Sequence, residues 1–500
     1  MSVQHPDTLL DEGSVRAALR SPRRLKTEVL AGLVVALALI PEAISFSIIA
    51  GVDPRVGLFA SFTMAVTIAF VGGRRAMISA ATGAIALVVA PLARDYGLDY
   101  LIAAVLLAGV LQIVLSLLGV ARLMRFIPRS VMTGFVNALA ILIFTAQLPH
   151  LIDVPTLVYP MVAVGLLIMV FLPRFTKAVP APLVAIVLLT AVTVLFALNV
   201  PNVGDEGELP SSLPSWLIPD VPMNMDTLSI IAPYALAMAL VGLLESLMTA
   251  KLVDDITDTH SDKTREGWGQ GVANLVTGLF GGMGGCAMIG QTMINVKVSG
   301  ARTRISTFLA GVFLLVLVVG LGDVVALIPM AALVAVMIMV SVGTMDWHSI
   351  APNTLRRMPR SETTVMLATV AVTVLTHNLA YGVIVGVVTA MVLFARRVAH
   401  LTEVVDIAHP DDDTRVYAVR GELFFASSND LIYQFDYVGD PKNVVIDMSD
   451  SHIWDASTVA TLDAITTKYA AKGKNVDIVG LNKASEDRHV RLSGRMGAEH

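Results

Sequence analysis

Apolar runs long enough to cross a lipid bilayer recur along this chain, from residue 31 to residue 394. A bilayer core takes about 20 residues of helix per crossing, and within lipid every backbone N–H and C=O must be satisfied inside the protein. A chain with this pattern folds as a bundle of membrane helices. Composition agrees: 55% of the 500 residues are hydrophobic and 15% are charged, against about 25% charged in soluble proteins. Residues 1–26 are polar and end in Arg16, Arg20, Arg23, Arg24 and Lys26. No secretory signal peptide is expected there, and the segment is expected in the cytoplasm. The single cysteine, Cys286, rules out an intrachain disulfide.

Fourteen segments can be read, at about 29–50, 56–71, 78–92, 100–120, 130–148, a sixth ending at Arg174 and Lys177, 180–200, 228–253, 267–280, a short tenth after a glycine cluster, 305–320, 324–342, 363–376 and 379–394. Basic clusters follow the even-numbered segments: Arg74-Arg75, then Arg122, Arg125 and Arg129, then Arg174 and Lys177, and onward to Arg396-Arg397. The loop 201–227 after the seventh holds Asp205, Glu206, Glu208, Asp220 and Asp226, five prolines, and no Lys or Arg. The positive-inside rule puts the basic loops and both termini in the cytoplasm and the acidic loop outside. Seven segments per half is an odd number, so the second half is expected to be inverted relative to the first. The short third and tenth segments then correspond, and Pro41-Glu42 in the first matches Glu245 in the eighth. Paired interrupted segments of this kind mark inverted-repeat transporters.

The glycine cluster is GGMGGCAMIGQTMINVKVS, residues 281–299, with Gly281, Gly282, Gly284, Gly285 and Gly290 within ten residues. Two readings stand. Small residues allow close helix packing. Alternatively, unwound backbone lines a polar cavity and leaves the N-terminus of a short helix pointing into it, an anion site by its free N–H groups and dipole. Glu245 lies inside an apolar run, where a carboxylate is costly and functional by default; a Glu paired with a polar neighbour is the structural alternative. Thr249, four residues on, shares its helix face. The run Asp254, Asp255, Asp258 and Asp262 lacks the glycine and terminal glutamate of a calcium loop and reads as a solvated helix end. No metal is expected beyond the coupling ion, and no cofactor.

Composition changes after Arg397. Residues 405–500 are charged, VYAVRG, ELFFAS, NVVIDMS and NVDIVGL read as strands, and 456–471 has helical spacing. A small cytoplasmic α/β domain is expected.

These residues carry a family resemblance. IPEAISFSIIAGVDPRVGLFASF (40–62) resembles the first-segment signature of the SulP sulfate-permease and anion-exchanger family, and ISAATGAIALV (78–88) resembles its third segment. GGMGGCAMIGQTMINVKVSGARTRIS (281–306) resembles its tenth, and NVVIDMSDSHIWDASTVATLDAI (443–465) resembles the core of a STAS domain. The resemblance implies a polytopic α-helical membrane protein with a seven-plus-seven inverted repeat of core and gate domains. The transporter domain is then 27–398, with repeats 27–200 and 228–398, and the STAS-like domain is 405–500. It also implies alternating-access transport of a small inorganic anion, bicarbonate or sulfate, in the cell (inner) membrane, by a homodimer.

The implied site is built from two helix starts. Thr82, between Ala81 and Gly83, opens the third segment; Cys286, Ala287, Met288, Ile289, Gly290 and Gln291 open the tenth. Two dipole ends converging there hold an oxyanion without a fixed positive charge; for Thr82 alone, helix capping is the alternative. GLLESLMTA resembles the acid-x-x-x-Thr arrangement with which a cyanobacterial sodium-dependent bicarbonate transporter of this family holds its sodium. Glu245 and Thr249 are thus the candidate Na+ site, and since a buried glutamate also takes a proton, H+ is the other candidate coupling ion. Glu42 is the pseudo-symmetric acid, in the coupling network or structural. Gln291 stands where many members carry Arg, which favours cation symport over simple anion exchange. Ser457 falls at the phosphoacceptor position of the related anti-sigma antagonists, with packing or docking as the alternative. An uncoupled exchanger or channel-like permease would need no coupling acid. A nucleobase-type symporter shares the inverted repeat but lacks a STAS domain. Nothing supports an enzyme or a nucleic-acid partner.

Overall fold

The computed structural model describes residues 13–120, 127–175, 180–399, 402–411 and 413–493. The basic residues Arg122, Arg125 and Lys177 lie outside the described residues, as do 1–12 and 494–500. The chain divides into two compact units, Met1–Val387 and Val388–His500.

The first unit is helical. Its elements in order are α1 (Val15–Arg20), α2 (Pro22–Ala50), α3 (Pro54–Val71), β1 (Ser79–Ala80), α4 (Gly83–Tyr96), α5 (Leu98–Leu117), α6 (Arg129–Thr145), α7 (Val158–Phe175), α8 (Ala181–Leu195), α9 (Met225–Thr257), α10 (Lys263–Leu279), β2 (Cys286–Ala287) and α11 (Ile289–Met293). After a π-helical turn at Ile294–Val298 come α12 (Arg304–Gly320), α13 (Gly322–Ala326), α14 (Met330–Thr344), α15 (Trp347–Ile350), α16 (Pro352–Arg357), α17 (Arg360–Thr376) and α18 (Leu379–Ala399). Each of the fourteen apolar stretches contains a helix. Seven of the described helices are long and apolar enough to cross a membrane, and Ala181–Leu195, Arg304–Gly320 and Met330–Thr344 are shorter apolar helices. Leu167, Phe171, Val187 and Leu188 on α7 and α8 are exposed, an apolar surface suited to lipid contact.

Local chemistry sets the helix ends. Pro22 and Pro54 occupy first-turn positions, where a missing N–H costs nothing. Asn224 caps α9 by accepting from Thr227 N at 2.8 Å, and Thr303 caps α12. Packing relies on small residues. Gly109 on α5 faces Gly271 on α10 so closely that a Cβ on Gly271 would come within 2.6 Å of the Gly109 carbonyl oxygen.

One end of the bundle is tied by charge. The last carbonyls of α3 accept from Arg265 and Arg304, while Glu266 of α10 accepts from Gly73 N and Arg74 N, both at 2.8 Å. The Glu28 carboxylate accepts from Arg302 N, Thr303 N and Ser306 N at the start of α12. The acidic run serves this network: Asp254 pairs with Arg74 at 3.0 Å and with Lys263 at 2.6 Å, and Asp262 caps α10 through Arg265 N. The proline-rich loop holds one short 3-10 turn, Val203–Glu206, and is pinned by Arg55–Glu208 and by Leu217 N donating to Leu279 O.

The second unit begins within α18 and continues through β3 (Glu403–Asp411), β4 (Thr414–Leu423), α19 (Phe425–Leu431), β5 (Asn443–Ile453), α20 (Ala456–Ala470), β6 (Asn475–Val479) and α21 (Lys483–Leu492). The sheet order is β3-β4-β5-β6, with β3 antiparallel to β4 and the other neighbours parallel. Val419, Leu423, Ile446, Met448, Leu462 and Ile465 form its core. Beneath it the fully buried Asp440 carboxylate accepts from Arg415 at 2.7 Å, Tyr417 OH at 2.9 Å and Tyr469 OH at 2.5 Å. Burial and that carboxylate push both phenols up, so they stay neutral donors at ordinary pH.

One strand reading needs correction, and one strand lies outside the readings made. ELFFAS leaves the sheet at Leu423: Phe425 N donates to Asp455 Oδ2 and Phe424 N to Ser427 Oγ, side-chain acceptors that turn the backbone into α19. The edge strand β3 is the additional one; the AHPD within it is a turn-like sequence.

Candidate functional site

The third and tenth segments do not begin as helices. Each begins as a two-residue strand, and the two strands cross antiparallel, with Ser79 opposite Ala287 and Ala80 opposite Cys286. Met288 N donates to Ile78 O at 2.9 Å and Ile78 N to Thr292 Oγ1 at 3.0 Å, which extends the crossing. The chains then turn into α4, capped by Thr82, and into α11 after Met288. Pairing the strands satisfies backbone groups that unwound chain would otherwise leave orphaned inside a membrane.

Polar side chains from four surrounding helices hold the crossing in place. Ser61 Oγ accepts from Ala81 N at 3.2 Å, Ser246 Oγ from Ala287 N at 3.1 Å, and Gln270 Nε2 donates to Ser79 Oγ at 2.7 Å. Asn274 grips Gly285 on both sides, accepting from its N–H at 2.8 Å and donating to its carbonyl at 3.0 Å, and it donates to Gln112 at 2.9 Å. Sequence reading missed these five residues. Their signal was the same as for Glu245: polar groups within apolar runs.

The glycines of the cluster differ in what the backbone asks of them. Gly284 has φ +78°, a left-handed conformation that favours glycine. A Cβ on Gly285 would lie 2.1 Å from the Ala80 carbonyl oxygen, so that glycine exists for the strand crossing. Gly290 is different: a Cβ there meets nothing within 4 Å.

The named site residues meet in two small clusters. In the first, Cys286 Sγ lies 2.9 Å from Glu245 Oε2 and 3.2 Å from Thr82 Oγ1, and Thr82 Oγ1 accepts from Ile85 N at 3.3 Å. The three are 8%, 0% and 2% exposed in the order Glu245, Cys286, Thr82. Thr249 is buried on the next turn, and its hydroxyl donates to the Glu245 carbonyl at 2.8 Å. In the second, Gln291 Nε2 donates to Glu42 Oε1 at 2.8 Å, and Gln291 Oε1 is buried without a hydrogen-bond partner among the described residues. Ala81, Gly83, Ala287 and Met288 are buried around the helix starts; Ile289 is half-buried and Gly290 exposed. Among the described residues, neither Glu42 nor Glu245 is ion-paired with Lys, Arg or His. A carboxylate so placed has room to gain from a cation and repels an anion until it is neutralised. In the second unit Asp455 caps α20 through Thr458, which leaves Ser457 exposed at the first turn.

Interrupted helices opening from a strand crossing at the centre of an apolar bundle, with intramembrane acids beside them, define a multi-pass membrane transporter. The chain belongs to the sulfate permease family, whose model matches residues 25–162 and 150–369, and it carries a STAS domain at 405–494. It is therefore an anion transporter of that family and not an enzyme. YbaR of Bacillus subtilis (strain 168) is 54% identical over 463 residues, covering 92% of this chain and 96% of that protein. The bicarbonate transporter BicA of Picosynechococcus sp. (strain ATCC 27264 / PCC 7002 / PR-6) is 26% identical over 531 residues, covering 94% of this chain and 91% of that one. The solved transmembrane domain of a cyanobacterium bicarbonate transporter BicA aligns with TM-score 0.65 at 25% identity, over 73% of this chain and 97% of that one. The murine Solute Carrier 26 family member A9 anion transporter aligns with TM-score 0.80 over 98% of this chain and 92% of its own, at 16% identity, a likeness of fold.

Proposed function

We propose that this protein is a secondary active transporter that takes up a small oxyanion, sulfate or bicarbonate, together with Na+ or H+. The observation that carries this reading is the Glu245 carboxylate. It is buried within an apolar bundle, has no basic partner among the described residues, and is joined through Cys286 to the Thr82 cap of a helix start. An anion alone would meet repulsion there; an anion with a cation on Glu245 would not. Thr82 and the backbone N–H groups from Gly83 and from Ile289 to Gln291 are the proposed anion donors, and Glu245 with Thr249 the proposed cation site. Glu42 and Gln291 form a second polar pair whose neutral amide adds no positive charge to the site.

The proposed architecture is a seven-plus-seven inverted repeat, residues 27–200 and 228–398, working by alternating access as a homodimer in the cell membrane with both termini cytoplasmic. The repeat is supported by the β1–β2 crossing, which joins the start of one interrupted segment to the start of the other. The STAS unit, 405–500, is proposed as a regulatory or docking module, with Ser457 as its candidate phosphosite.

Uptake of labelled sulfate and bicarbonate into proteoliposomes, with Na+ and proton gradients imposed separately, tests this. One anion should accumulate above its equilibrium level under one gradient. Equal rates with and without either gradient would replace symport by exchange or uncoupled permeation. Thr82→Val should weaken apparent anion affinity by roughly tenfold or more, the cost of losing a hydrogen bond to a charged ligand, about 1.5–3 kcal/mol. An unchanged apparent affinity in concentration-dependent uptake would remove Thr82 from the site.

A further inference from the structure

We infer that the Cys286 thiol is a positioning residue that reports the state of Glu245 to Thr82, by reversing the direction of one hydrogen-bond chain. The inference rests on the reading of Glu245 as the coupling acid. The chain runs Glu245 Oε2, Cys286 Sγ, Thr82 Oγ1, with links of 2.9 and 3.2 Å, and continues to Ile85 N at 3.3 Å. All three side chains are buried, so a group that loses one partner turns first to its neighbour in the chain.

The direction follows from the donor inventory. A thiol has one proton and a threonine hydroxyl one. An ionised carboxylate only accepts, and bonds to it are the stronger ones. With Glu245 ionised, the S–H therefore points at Oε2. The sulfur is then an acceptor, and the Thr82 hydroxyl gives it its single proton. Thr82 Oγ1 meanwhile accepts from Ile85 N. In this state the hydroxyl has no proton to offer an anion.

A cation on Glu245 reverses the chain. Sodium takes the carboxylate oxygen that the thiol had held. A proton makes the carboxyl a donor to the sulfur. In both cases the S–H no longer has a carboxylate acceptor at Oε2 and turns to Thr82 Oγ1. The Thr82 hydroxyl proton is freed for an anion at the helix starts. With sodium no covalent bond changes, and with a proton the one new bond is the O–H on the Glu245 carboxylate; at Cys286 and Thr82 the S–H and O–H groups only rotate. Sulfur is a weak donor and a weak acceptor, so the reversal is cheap, which suits a switch better than a rigid oxygen relay would. Cation binding and anion binding then favour each other through one side chain, in addition to their direct charge attraction.

The test compares anion affinity with and without the coupling cation, using purified full-length protein titrated with sulfate and with bicarbonate, at saturating and zero Na+ and at two pH values. In the wild type the cation should tighten anion binding by a factor in the usual coupling range, about 5–150-fold. Cys286→Ser keeps one donor and one acceptor and should retain most of that factor. Cys286→Ala removes the relay and should bring the factor down severalfold, a loss that Ser rescues and a merely structural role would not produce. Cys286→Ala with the wild-type factor overturns the relay and leaves the coupling reading intact. A wild type with no cation effect overturns the coupling reading itself and the relay with it. The wild-type protein supplies a measurement that needs no variant to fold. Its one cysteine gives one S–H stretching band in the infrared, which should shift when the coupling cation is added, as the thiol exchanges a carboxylate acceptor for a hydroxyl; a band that stays in place overturns the inference.

Discussion

Glu245→Gln should bind the anion and exchange it across the membrane, yet fail to concentrate it. The substitution keeps nearly the same volume in a buried position, and its amide N–H can donate to the Cys286 sulfur, 2.9 Å from the carboxylate in the native protein, as the protonated acid would. It removes the charge. The variant imitates the neutralised acid, so the repulsion that an incoming anion meets is gone without any cation being taken up. Reciprocal coupling then has nothing to act through: if the cation cannot change anion affinity, the anion cannot change cation affinity. Gradient-driven accumulation should fall to an inside-to-outside ratio of about one, the value for an uncoupled carrier, while counterflow of labelled anion survives. Net uptake and counterflow measured on the same proteoliposomes separate these. Full accumulation by Glu245→Gln would make Glu245 a structural acid. Loss of both activities would show that the carboxylate is needed for the fold or for translocation itself.

The second large effect is expected at Gly285, a residue with no chemistry of its own. A methyl group there would sit 2.1 Å from the Ala80 carbonyl oxygen and 2.7 Å from its carbon. Both are backbone atoms, so no rotamer relieves the contact. The strands would have to separate, yet Asn274 holds Gly285 by both its N–H and its carbonyl. Inserting a methyl group into packed interior costs typically about 1–3 kcal/mol, and here the upper end or more is expected because the clash is with backbone. Gly285→Ala should lower thermal stability and abolish transport. Gly290→Ala is the matched control, since its Cβ meets nothing within 4 Å; it should leave the melting temperature unchanged. Thermal unfolding of both variants in detergent, followed by size-exclusion, checks the pair. A Gly285→Ala protein as stable and active as the wild type would show that the crossing relaxes easily.

Part of the candidate site was legible in the sequence. Glu245 stands out because a carboxylate inside an apolar run is expensive and rarely accidental, and Thr249 follows by sharing its helix face, whereas Glu42 rests on pseudo-symmetry and Thr82 and Gln291 on the family resemblance. The signal that marks Glu245 also marks Ser61, Gln112, Ser246, Gln270 and Asn274, but nothing local says that these five converge on one short strand crossing. Convergence is a property of helix packing, and residues 61 and 274 are brought together across most of the transporter. The glycine cluster was ambiguous for a physical reason. Glycine serves both close approach and unusual backbone, and only the neighbours distinguish Gly285, which would strike Ala80, from Gly290, which would strike nothing.

By itself, the order of residues determined the membrane architecture in outline. Apolar runs of spanning length, the basic loops between them and the charged α/β tail follow from transfer free energies and strand periodicity, which are local quantities. The partners of the buried acids were decided only by the tertiary structure. Glu42 is held by Gln291, almost 250 positions away, and Glu245 by the lone cysteine. A side chain's chemical type is written in the sequence, but its hydrogen-bond partner depends on which distant backbone lies within about 3 Å, and here that is set by two short strands no propensity would have paired.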